Sequence, residues 1–248
     1  MPTEAGLKLV APEKSHDAVR KPLHFVNTKI QTFQNEKKLI KHTPTFVPAG
    51  QSTQMVIGAT PENDWEIMSV ADEFYKKYQL KRVYYSGYIP INNTDANLPQ
   101  IGTRPPLIRE NRLYQTDWLL RFYNFSLNEI LNPAFTQLDL DIDPKLGWAL
   151  RNLHLFPVDI NKADYQTIIR VPGIGRGSAM KIVSARKYGR LREYQLKKMG
   201  IAYNRAKHFI TCADTVVPLG FKYAPQLKNI ILQTGSSKYK QEIAENQL

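Results

Sequence analysis

Apolar positions recur along this chain with two different periods, and the change of period divides it. Residues 1–50 carry scattered Pro, Lys and Gln among few apolar positions, which predicts loop and one helix over Asn27–Leu39. From Thr53 the pattern sharpens. Gln54 to Ala59 is a short apolar run interrupted by Gly58, suited to a buried strand. Asn63 or Asp64 then caps a helix whose apolar face is Trp65, Ile67, Met68, Ala71, Phe74, Tyr75 and Tyr78. Lys81 to Ser86, with Val83, Tyr84 and Tyr85, reads as a second strand. Strand, helix and strand with short joins predict a parallel βαβ unit, whose ligands lie beyond the carboxyl ends of the strands.

Asn, Pro and Gly crowd residues 91–107, an irregular loop. Arg109 to Phe122 predicts a helix with Leu113, Trp118, Leu119, Leu120 and Phe122 toward the core, leaving the heads of Arg109, Arg112 and Arg121 to reach solvent or an anion. A shorter helix over Asn124–Leu131 ends before Pro133. Asp143 is placed to cap the next helix, with Pro144 at its first position.

Further on, a helical segment from Asp164 to Arg170 meets Val171-Pro-Gly-Ile-Gly-Arg-Gly-Ser-Ala179, which turns into another helix ending near Gly189. Glycines at 173 and 175 allow positive φ and lack a Cβ, so the backbone can approach a phosphate and aim N–H groups at it. The positive end of the following helix adds to that attraction. A shift of 27 residues lays Ile169, Gly173, Ile174, Ala179 and Ile182 onto Leu196, Gly200, Ile201, Ala206 and Phe209. In the second copy Ala202 stands where Gly175 stood, so that hairpin is expected to pack as much as it binds. A dinucleotide fingerprint fits poorly, because a polar helix, not a strand, precedes the first glycine.

Charge reinforces this division. The 248 residues carry a net +12, and fourteen of the Lys and Arg but only three of the Asp and Glu lie between Lys145 and Cys212. That segment therefore holds +11 and the rest of the chain +1, the outline of a module for an anionic partner such as nucleic acid. With 42% hydrophobic residues the chain is too apolar to be disordered. It has no run of apolar residues long enough for a membrane span and no secretory signal pattern, so a cytoplasmic location is expected, with no membrane partner. One cysteine, Cys212, cannot assemble a disulfide, a zinc site or an iron–sulfur site within the chain.

The lead-in Val158-Asp-Ile-Asn161 and the core Pro172-Gly-Ile-Gly175, Ser178-Ala179 and Ile182 resemble the tandem helix-hairpin-helix domain of DNA repair and competence proteins. The resemblance implies sequence-independent binding to the DNA backbone through Gly173, Ile174, Gly175, Arg176, Gly177, Ser178, Lys181, Gly200, Arg205 and Lys207. Upstream, Gly50 to Ala59, Arg82 to Ser86, Pro105 to Glu110, Tyr114-Gln115, Trp118 to Phe122 and Leu138 to Pro144 are similar, in that order, to the C-terminal part of a bacterial radical SAM family of DNA modification and repair proteins. That similarity implies an α/β, incomplete TIM-type barrel over residues 1–137, an all-α tandem helix-hairpin-helix DNA-binding domain over 138–212 and a partly disordered tail over 213–248.

Members of that family hold a [4Fe–4S] cluster and S-adenosylmethionine. The three closely spaced cysteines of the pattern belong upstream of Met1, so the chain reads as a fragment begun mid-barrel, with no cofactor of its own. The resemblance implies an enzyme whose catalytic residues this chain does not name. What is left of a cofactor pocket falls to Gly58, Ala59, Thr60 and Ser86. The rival from a different class is a stand-alone, non-enzymatic DNA-binding or DNA-uptake protein that uses the hairpins alone. No obligate protein partner is inferred. Asp139, Asp141 and Asp143 do not make a calcium loop, since Pro144 stands where glycine is needed and Leu150 where glutamate is needed. The five histidines show no metal-ligand spacing. Tyr84, Tyr85 and Tyr88 read as strand aromatics turned to a core, with stacking on bases or adenine as the alternative.

Overall fold

A computed structural model describes residues 1–215 and 224–234. The chain divides into two compact units, the first formed by Met1–Asp117 with Leu131–Leu138 and the second by Trp118–Ile130 with the residues from Asp139 onward. The boundary expected at residue 138 is thus shifted: Trp118–Ile130 belong with the hairpin module.

In the first unit, α1 (Glu4–Val10) and the long α2 (His16–Leu39) precede β1 (Ser52–Ile57), α3 (Asp64–Tyr78) and β2 (Arg82–Gly87). Helix α2 starts eleven residues before the expected Asn27, capped by the Ser15 side chain, and runs through Pro22. Proline at that position leaves only the Ala18 carbonyl without its helical donor, which a helix this long tolerates. Strands β1 and β2 pair in parallel, Ser52 opposite Arg82 through Ile57 opposite Gly87. Between them α3 opens on a capping box, in which Asn63 and Glu66 each accept the other's backbone N–H. Its face of Ile67, Met68, Ala71, Phe74 and Tyr78 is buried, as are Met55, Ile57, Val83 and Tyr85 of the sheet. Asp64, also buried, accepts from the Arg109 guanidinium and from the Leu138 N–H, which fixes residues 131–138 at the start of α3. The Arg109 head is therefore engaged by Asp64 and the Glu62 carbonyl and Arg112 is buried, where the sequence pattern suggested heads reaching solvent.

The far edge of β2 is closed by side chains. Alternate N–H groups of a strand point to one edge, and those of Val83, Tyr85 and Gly87 donate to the Tyr75 hydroxyl, the Tyr114 hydroxyl and the Glu110 carboxylate at 2.9, 3.0 and 2.6 Å. Tyr114 in turn donates to the Tyr85 carbonyl at 2.9 Å. The described residues of this unit contain this one two-stranded sheet and no closed barrel.

The second unit is built from short helices. Residues Trp118–Phe122 end α4 (Leu107–Phe122), followed by α5 (Leu127–Ile130) and α6 (Pro144–Arg151), which Asp143 caps with Pro144 in the first turn. Then come β3 (Val158–Asp159), α7 (Tyr165–Arg170), α8 (Arg176–Ala185), α9 (Glu193–Lys198), α10 (Tyr203–Ala206), β4 (Ile210–Thr211) and α11 (Ala224–Thr234). Strands β3 and β4 pair in parallel, joining the lead-in of the first hairpin to the end of the second. Asn161 holds the middle of the module: its side chain donates to the Leu191 carbonyl and accepts from the Leu191 N–H. Phe125, Trp148, Phe156 and Phe209 form an edge-to-face chain through the core, with centroids 5.0 to 6.1 Å apart. Within the tail over 213–248, expected to be partly disordered, α11 buries Leu227 and Ile231; residues 216–223 and 235–248 lie outside the described residues. Lys228 of α11 donates to Asp139 and Asp141, so those carboxylates are engaged by a lysine.

Candidate functional site

Two helix pairs, α7 with α8 and α9 with α10, each turn on a glycine with positive φ: Gly173 at +87° and Gly200 at +77°. Residues related by the 27-residue shift occupy equivalent places. Ile169 and Leu196, Ala179 and Ala206, and Ile182 and Phe209 are fully enclosed, and Ile174 and Ile201 plug their hairpins. Burying one such aliphatic side chain contributes about 1.5–3 kcal/mol, so neither pair stands without the other.

The glycines of the first hairpin divide into two kinds. Gly173 faces the second hairpin. Its carbonyl accepts the Ala202 N–H at 2.9 Å, and a Cβ on it would lie 2.7 Å from the Ala202 oxygen and 3.1 Å from the Ala206 nitrogen. Gly175 does not have the expected positive φ; at φ −90° and ψ 170° it is extended backbone open to any residue. A Cβ there would meet only the Tyr123 hydroxyl, at an ordinary 3.7 Å, and a Cβ on Gly177 would meet nothing within 4 Å. Bare backbone at 175 and 177 therefore has no packing cause within the described residues.

Helix α8 begins at this bare backbone. Helices α6 and α7 are capped by the Asp143 and Asp164 side chains, whereas no side chain caps α8. Its first-turn N–H groups carry the positive end of a ten-residue helix. Ser178 is not turned to a ligand: its hydroxyl reaches the Met199 and Gly200 carbonyls at 3.3 and 3.1 Å and ties the two hairpins together.

The basic residues also separate into two sets. Arg186 donates to the Ile160 and Ala163 carbonyls, Arg170 pairs with Glu129, and Arg151 donates to the Ile130 carbonyl at 2.8 Å. Arg205, expected beside a phosphate, is half-buried in an ion pair with Asp143. Lys145 is buried, and its ammonium donates to the Ile174 carbonyl at 2.6 Å, 4.8 Å from the centre of the Tyr123 ring. Burial pushes its pKa down to about 7; Asp143 opposes that shift and Arg205 adds to it. Arg176, Lys181, Lys187, Arg190, Arg192, Lys198 and Lys207 are exposed.

Trp118 and Phe122 flank the hairpin with their rings 4.8 Å apart, and the Arg121 and Arg176 guanidiniums lie 4.7 and 5.6 Å from the centre of the Phe122 ring. Trp118, expected in the core, is 53% exposed. Helix α4 encloses Leu113, Thr116, Asp117 and Leu119, and residue 118 falls on the opposite side. Neither the outward tryptophan nor the buried lysine carries a local sequence signal. The enclosed side of α4 includes a polar pair, Thr116 and Asp117.

At the strand ends Ala59 and Thr60 are buried, Gly58 and Ser86 are half-buried, the Thr60 hydroxyl donates to Glu62, and Cβ atoms on Gly58 and Gly87 would stand 2.8 and 3.3 Å from the Pro106 ring. Cys212, whose sulfur lies 2.8 Å from the Thr215 hydroxyl, has its thiol pKa raised by burial and is one donor where a cluster needs three. One thiol does not fit a cluster that needs three, and no step is routed through either group of the radical SAM pattern. No helix among the described residues is long and apolar enough to cross a membrane. Comparison with known proteins finds no matching family model, curated protein or solved structure.

Proposed function

We propose that the second unit binds the DNA backbone without reading sequence, with Gly175, Gly177 and the start of α8 against a phosphate and Arg176, Lys181, Lys187 and Lys207 on its neighbours. The observation that carries this reading is the bare backbone at 175 and 177 on an uncapped helix N-terminus, where the fold itself has no use for glycine. Ile174 serves by plugging the hairpin, and Gly173, Ser178, Gly200 and Arg205 serve by holding the two hairpins and α6 in register. A role in DNA repair or modification, and the partial-barrel reading of the first unit, rest on the resemblance alone. The test is fluorescence anisotropy with two duplexes of unrelated sequence across a salt series. Affinity should be the same for both, and neutralising about four phosphates gives a log–log salt slope near −3.6. Gly175→Asp should weaken binding more than Lys187→Ala, since it sets a carboxylate at the point of closest approach. If Gly175→Asp binds as wild type while Lys187→Ala does not, the hairpin is only a turn.

A further inference from the structure

Resting on that DNA-binding reading, we infer that Trp118 is a stacking platform for an unpaired base, so the preferred substrate is DNA in which a single-stranded nucleotide adjoins a duplex. The last turn of α4 sets an indole in water beside the hairpin although its neighbour Leu119 is enclosed. The indole is held by its tilted contact with Phe122, 4.8 Å between centroids, and Phe122 carries the Arg121 and Arg176 guanidiniums near its own ring. Arg176 is the first residue of α8, directly after Gly175, and Tyr123 sits beneath Gly175. Aromatic surface and phosphate-binding backbone are therefore neighbours within one unit. The chemistry of the patch selects its occupant. An apolar protein segment would leave the exposed Arg176 guanidinium beside it without an anionic partner, whereas a nucleotide supplies a flat ring for the indole and a phosphate for that cation. A duplex keeps its base faces stacked inside except at its two ends, so away from the ends an unpaired base is what offers a free face.

The test uses the full chain and three DNAs: a blunt duplex, the same duplex with a single-stranded extension, and the extension alone. Wild type should bind the tailed duplex at least about 5-fold more tightly than the blunt one, the size of one base–aromatic stack. Trp118→Ala should abolish that preference and leave blunt-duplex affinity unchanged, while Trp118→Phe retains part of it. Adding the extension alone should quench tryptophan emission in wild type and not in Trp118→Phe. Equal affinity of wild type for blunt and tailed duplex overturns the inference and leaves backbone binding standing. So does a Trp118→Ala chain that keeps the preference. Failure of wild type to bind any of the three overturns both readings.

Discussion

The Gly173 carbonyl accepts the Ala202 N–H at 2.9 Å, so the glycine of the first hairpin is hydrogen-bonded to the turn of the second. The motif's most diagnostic residue is thus internal, and the surface of the hairpin is made by the two glycines that follow it. This separates positions that hold the fold from positions free to serve a ligand.

Substitutions at the three glycines should show the separation. Gly173→Ala forces a side chain into positive φ and against the Ala202 backbone, and should lower stability by about 2–3 kcal/mol. Gly177→Ala, inside α8 with open space around it, should raise stability by about 0.5–1 kcal/mol while weakening DNA binding. Urea unfolding beside anisotropy on the same variants checks both; a Gly177→Ala chain that binds as wild type removes Gly177 from the interface.

The arginines should part in the same manner. Arg205→Ala strands the Asp143 carboxylate, and Arg186→Ala strands two carbonyls, so each should cost about 1–3 kcal/mol in unfolding free energy. Arg176→Ala, Lys181→Ala and Lys207→Ala should leave stability within about 0.5 kcal/mol and each reduce the magnitude of the salt slope by about 0.9.

Lys145 makes stability depend on pH. Its pKa is about 7 when folded and near the ordinary 10.5 when unfolded, so between those values the unfolded chain binds more protons. Stability therefore rises with pH above about 7, by at most about 1.4 kcal/mol per unit. Tyr203, raised by burial to about 12, acts oppositely above pH 10, because there the folded chain holds the extra proton. Urea titrations between about pH 7 and pH 10 should show the rise in wild type and lose it in Lys145→Met; a parallel rise in the variant would assign it to another group.

At the sheet edge, Tyr114→Phe removes one hydroxyl that serves both the N–H and the carbonyl of Tyr85. A cost of about 1–3 kcal/mol is expected, with increased self-association of the variant by light scattering. An unchanged unfolding midpoint would mean that water replaces the hydroxyl at no cost.

What was legible in the sequence is what neighbours in the chain decide. Asp143 before Pro144, Asp164 before α7 and the 27-residue echo of Gly173, Ile174 and Ala179 are local patterns, and each names its own helix start or hairpin. The illegible part depends on partners far along the chain. Arg205 and Lys207 look equivalent as basic residues, yet Arg205 meets Asp143, 62 positions away, and Lys207 meets water. Gly173 and Gly175 look equivalent as hairpin glycines, yet Ala202 presses on one and not on the other. Trp118 reads as core by type, yet it is exposed while the polar Thr116 and Asp117 are enclosed. The scattered Pro, Lys and Gln before Asn27 read as loop, although α2 runs from His16 through Pro22.

The width of the first unit's sheet is encoded in Tyr75, Glu110 and Tyr114, not in the course of the backbone. Each of those side chains occupies a bond that a third strand would otherwise make. An ancestor or descendant that lacks the two hydroxyls and the carboxylate would carry a vacant row of donors on the same β2, ready to recruit a further strand.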